Sequence, residues 1–131
     1  MTSHRDLAAW QRADDLAQHI YRLTWKFMQS DPTLAQRMRS AAITVAASIS
    51  EACRHGSTPQ FRRALRVASG ALGELGYYLH FARRVGLMSE SDLKRVTPLE
   101  EEVSRHLDPL LAGRSNLSIA ANVSLSPLER G

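Results

Sequence analysis

The residues with the most chemical potential sit close together: Glu51, Cys53 and His55, followed by Arg54, Arg62, Arg63 and Arg66. Three chemistries are conceivable. A cysteine nucleophile needs a base within reach and a lowered pKa. Cys53 falls at the expected C-terminal end of a helix, where the dipole disfavours a thiolate. It reads instead as a partly buried structural thiol, since free cysteine behaves as a small hydrophobe. A metal centre needs several converging ligands. The histidines His4, His19, His55, His80 and His106 are scattered, no two at i, i+4, and Cys53 with His55 is too few for a closed zinc site. General acid–base work by Glu51 and Glu74 lacks a nucleophile and a substrate pocket. No phosphate-cradling or nucleophile-elbow motif is present. "GALGELG" at 70–76 is spaced G-x-x-G-x-x-G and lies inside a strongly periodic helix. The expectation is therefore a protein without catalytic residues, metal or cofactor.

The remaining chemistry is charge. The chain has 131 residues and a formal net charge of +4. Residues 36–88 carry eight arginines against only Glu51 and Glu74, whereas residues 89–131 carry five basic and seven acidic side chains. Such asymmetry permits an anionic partner. Phosphate contacts would come from Arg37, Arg39, Arg54, Arg62, Arg63 and Arg66, positioning nucleic acid without reading its sequence. The glutamates read as ion-pair anchors. Each lies on the flank of an apolar stripe, with Arg37 and Arg39 as possible partners within the bundle or across subunits.

Four helical segments must position these groups. Leu16, Ile20, Leu23 and Phe27 recur at helical spacing over about 6–29. A second helix over about 32–54 has the stripe Leu34, Met38, Ala41, Val45, Ile49 and Ala52, flanked by small residues that let another helix approach closely. Gly56 closes it, and Thr58–Pro59 forms an N-cap and N1 pair for the third helix, about 59–86. The fourth, about 90–112, is opened by Ser89 and Asp92 as a capping box. Pro98 should kink this helix or split off its first turns. Residues 113–131 lack helical period and read as a mobile tail outside a bundle spanning 1–112. Short connections make an all-α, antiparallel up-and-down four-helix bundle the expected fold. No apolar run is long enough to span a bilayer, no secretory signal precedes the first helix, and a lone cysteine fits the cytoplasm.

Several outward residues need another explanation. On the third helix, the face opposite the apolar stripe holds Arg62, Arg66, Gly70, Gly73, Tyr77 and Arg84, with Arg63 and Phe81 beside it. A glycine inside a helix costs about 1 kcal/mol relative to alanine. Outward glycines suggest close approach by a subunit, a phosphate backbone or a neighbouring helix. Trp25, Ile43, Tyr77 and Phe81 together suggest a subunit interface, with Gly70 and Gly73 in it.

"RDLAAWQRADDLAQHIYRLT", "RMRSAAITVAASISEA" and "FRRALRVASGALGELGYYL" resemble the four-helix-bundle proteins encoded in intervening sequences of bacterial 23S ribosomal RNA genes. The same superfamily includes the accessory variability determinant of diversity-generating retroelements. The resemblance covers about 5–112. It rests on Leu7, Trp10, Ala13, Leu16, Ile20 and Tyr21, then Arg37, Arg39, Ala41, Ala42, Ile49 and Glu51, then Phe61, Ala68, Gly70, Leu72, Glu74 and Leu75. Where the family tends to read N-I-A-E-G, this chain has Ser48, Ile49, Ser50, Glu51 and Ala52. The resemblance implies a homopentameric ring without known catalytic activity. In the retroelement members it implies a basic protein that binds nucleic acid and associates with a reverse transcriptase. The alternative is a protein-interaction scaffold that binds no nucleic acid.

Overall fold

A computed structural model describes residues 7–56 and 58–113. The expected tail at 113–131 lies, apart from Gly113, outside the described residues. Four helices run in chain order: α1 (Ala8–Thr24), α2 (Pro32–Ala52), α3 (Pro59–Arg84) and α4 (Glu90–Leu111). A short 3-10 turn, Trp25–Phe27, extends α1. Among the described residues there is no strand. Each helix packs on its two neighbours in the order α1–α2–α3–α4–α1, and in the diagonal pairs α1–α3 and α2–α4 no Cα atoms come within 8 Å of each other. This is the four-helix bundle that short connections between amphipathic helices dictate.

Every residue of the expected α2 stripe, from Leu34 to Ala52, is buried. α2 and α3 share the largest interface. Ala41, Ala42 and Ser48 on one helix and Ala64, Ala68 and Ala71 on the other are all buried, and small side chains let the two backbones come close. Leu16 and Ile20 from α1, Phe27 from the 3-10 turn, and Val96, Val103 and Leu107 from α4 complete one continuous core.

The helix ends follow local chemistry. The Asp31 side chain accepts from Leu34 N–H, and the Thr58 hydroxyl from Phe61 N–H. Ser89 and Asp92 form a reciprocal capping box with bonds of 3.0 and 2.9 Å. Gly56 and Gly86 take positive φ after α2 and α3, the conformation glycine adopts without a β-carbon penalty.

Two elements differ from expectation. The α-helical ladder of α1 stops at Thr24 instead of continuing to 29. The Tyr21 carbonyl accepts from Arg39 Nη2 at 2.9 Å and from the Thr24 hydroxyl at 3.3 Å. The Trp25 amide donates one residue further on, to the Arg22 carbonyl, and this i→i−3 bond tightens the chain into a 3-10 turn. Pro98 does not split α4, which runs through both Pro98 and Pro109. Pro98 has no amide hydrogen for the Lys94 carbonyl, and buried Val96 and Val103 anchor the helix on both sides of the gap.

Candidate functional site

The Glu51–Cys53–His55 corner contains no activated group. Cys53 occupies the C-cap of α2, and burial pushes its thiol up to about 11. Glu51 and His55 are exposed. Among the described residues no cluster of His, Cys, Asp and Glu is arranged to hold a metal ion.

The arginines divide into two groups. Arg37, Arg54, Arg63 and Arg66 are exposed, and none of their side chains makes an ion pair or hydrogen bond with another described residue. Arg39 and Arg62 are engaged within the chain. The Arg39 guanidinium lies 4.1 Å above the Tyr21 ring and 5.4 Å from the Trp25 ring. Its Nε donates to the Thr24 hydroxyl at 2.8 Å. Arg39 thus clamps α2 to the end of α1 with donors that a phosphate would otherwise use. Arg62 Nη1 donates to the Leu111 carbonyl at 2.7 Å, a cation on the C-terminal end of α4 where the helix dipole favours one.

The ion-pair expectation is corrected within one chain. Glu74 is exposed and accepts from the Tyr78 hydroxyl, one turn later, at 2.5 Å. Glu51 is exposed and has no arginine partner among the described residues. Both carboxylates project outward from the stripe flanks into water rather than being half buried. The ion pairs that do form are elsewhere: Lys26–Asp92 at 2.5 Å, and Arg12 with Asp15 and Glu102.

The outward apolar residues fall into two patches. Trp25 is 72% exposed, and with Tyr21 and Ile43 it flanks Arg39 on the α1–α2 face. Tyr77, 59% exposed, and Phe81 belong to α3, accompanied by exposed Val67 and Val85. The two patches thus lie on different helices, the first on α1 and α2 and the second on α3. The Tyr77 and Phe81 rings are nearly parallel, with centroids 6.2 Å apart, and His80 lies 6.1 Å from Tyr77. A β-carbon on Gly70 or Gly73 would meet nothing within 4 Å. Packing inside the bundle therefore does not demand either glycine. Gly76 is different, because a β-carbon there would lie 2.6 Å from Glu100 Oε2.

Tyr21, Val67 and Val85 are not among the outward residues that the sequence points to. Tyr21 and Trp25 are one helical turn apart, so a shared face was readable. The contribution of Arg39 from a second helix was not.

A family model for the 23S rRNA-intervening sequence protein matches residues 5–108, which includes all four helices but the last residues of α4. The chain belongs to that family. No curated protein matches the sequence. The description of this intervening sequence protein family names no reaction. No described helix of this family member is long and apolar enough to cross a membrane.

Proposed function

We propose that this intervening sequence protein is a non-enzymatic, self-associating helical bundle that binds nucleic acid through its phosphates. The observation carrying this reading is the unpaired state of the Arg37, Arg54, Arg63 and Arg66 side chains, in a stretch (residues 36–88) where only Glu51 and Glu74 oppose eight arginines. Arginines without internal partners hold their full donor capacity for anions. Four phosphate contacts would make log K fall with log salt at a slope near −3, a loss of about 50- to 150-fold between 50 and 200 mM.

Self-association supports the reading through avidity, because copies in one particle present several basic surfaces to one strand. The α1–α2 patch of Trp25 and Ile43, with Tyr21 between them, is the candidate contact. A ring of five follows from the resemblance to the ring-forming relatives, as does a reverse transcriptase as protein partner.

Binding of a mixed RNA and DNA pool across a salt series tests the central claim. Replacing Arg54, Arg63 and Arg66 by glutamate should abolish binding at low salt. If the wild type binds nothing at low salt, or the triple variant binds as well, the nucleic-acid reading fails. A single protein partner recovered after nuclease and high salt would then favour the scaffold. Light scattering near the 14.6 kDa chain mass would sink self-association.

A further inference from the structure

The outer face of α3 combines three features. Tyr77, His80 and Phe81 form a contiguous group of exposed rings. Arg63 and Arg66 lie before them and Arg84 after them, all exposed and unbonded. Between Arg66 and Tyr77 the backbone is bare at Gly70 and Gly73, with open space above both. At 1.5 Å per residue, Arg66 and Arg84 are roughly 27 Å apart along the helix. That suits the shorter single-strand sites, which span about 4–16 nucleotides.

Charge decides what covers this face. The other apolar patch of a second copy, on α1 and α2, carries Arg22 and Arg39. Docking it here would place cations against Arg63, Arg66 and Arg84, with Glu74 the only acid on the receiving face. A polyanion is complementary where that apolar patch is not. Base-paired nucleic acid would meet the arginines but not the rings, because its base faces are stacked inside the helix. Unpaired bases expose π-faces that stack on aromatic side chains.

We infer that the outer face of α3 is a single-strand site: Arg63, Arg66 and Arg84 hold phosphates, the strand passes close over Gly70 and Gly73, and unpaired bases stack on Tyr77 and Phe81. This rests on the nucleic-acid reading above and adds the strand state to it. Tyr77 and Phe81 are then ligand-facing rather than subunit-facing, and Gly70 and Gly73 are kept for the strand.

The test compares fluorescently labelled oligothymidylate with a mixed-sequence duplex of equal length, using the full chain, its Tyr77→Leu/Phe81→Leu double variant and Tyr77→Phe. Leucine keeps the apolar area and removes the rings. The expected result is tighter binding of the single strand than of the duplex by wild type. The double variant should lose at least about tenfold on the single strand, with duplex affinity and particle mass unchanged, while Tyr77→Phe retains wild-type binding. If the double variant weakens both ligands equally, or neither, the stacking inference is overturned and the phosphate reading survives. If its particle mass drops, the face is a contact between copies and the inference is likewise overturned. If wild type binds neither ligand, both readings fall together.

Discussion

Glu100 Oε2 on α4 lies 2.6 Å from the point where a β-carbon on Gly76 of α3 would sit. The missing side chain leaves a notch in α3, and the Glu100 carboxyl lies against it. The same position desolvates the acid, and burial together with the neighbouring Glu101 carboxylate raises its pKa above 4.5. A raised acid pKa means that the fold disfavours the charged form. The penalty is absent below about 4.5 and complete above the folded pKa. Glu100→Gln should therefore be more stable than wild type at pH 7 and equal to it near pH 4, measured by urea denaturation across pH. A wild-type advantage at pH 7 would refute this.

Asp92 should behave in the opposite sense. Burial alone would raise its pKa, but the bonds from Lys26 and from Ser89 outweigh it and hold the carboxyl below 3.8. Its contribution is present above 3.8 and is lost as pH falls through the lower folded value. Asp92→Ala should cost about 1–2 kcal/mol at neutral pH, mostly through the capping box, because Lys26 is half exposed and its ion pair is screened. The difference from wild type should shrink in acid.

Gly70→Ala and Gly73→Ala should each stabilise the isolated protein by up to about 1 kcal/mol, since a methyl group meets nothing and helix propensity improves. On the single-strand reading the same changes should weaken oligothymidylate binding severalfold. A thermal melt paired with a binding curve separates the two effects. Stabilisation with full binding would show that nothing approaches the backbone there.

Arg39→Ala should destabilise the chain by about 2 kcal/mol, the value of charge-assisted bonds to Thr24 and Tyr21 plus the contact with the Tyr21 ring. Arg39→Lys should recover little of this, because an ammonium cannot reproduce the planar fork over a ring. The salt slope of nucleic-acid binding should not change in either variant. A reduced slope would return Arg39 to the phosphate-contacting group.

Cys53 should resist alkylation. With its thiol at about 11, only about one part in 1,000 is thiolate at pH 8. Iodoacetamide labelling should be slow in buffer and fast in urea. Rapid labelling of the native protein would reopen the corner as a reactive site.

The four helices were readable because their signals are local. Periodic apolar residues, Thr58–Pro59 and Ser89 with Asp92 act over one or two turns, and each formed as its spacing dictates. The end of α1 and the continuity of α4 involve bonds from outside the segment or packing on both sides of it. Nothing within residues 20–29 discloses that Arg39 takes the Tyr21 carbonyl, and Pro98 looks disruptive until Val96 and Val103 are seen buried on either side.

The same division holds for the surface. One-dimensional charge counting places eight arginines in the middle of the chain, and a helical wheel turns Trp25, Ile43, Tyr77 and Phe81 outward. Both follow from periodicity alone. Which arginines stay unbonded, which glycines face open space, and which helices are diagonal depend on contacts between residues 15 to 49 positions apart, such as Arg39–Thr24 and Arg62–Leu111. A periodic pattern specifies the direction in which a side chain leaves its own helix. Only the packing of four helices determines what it meets there.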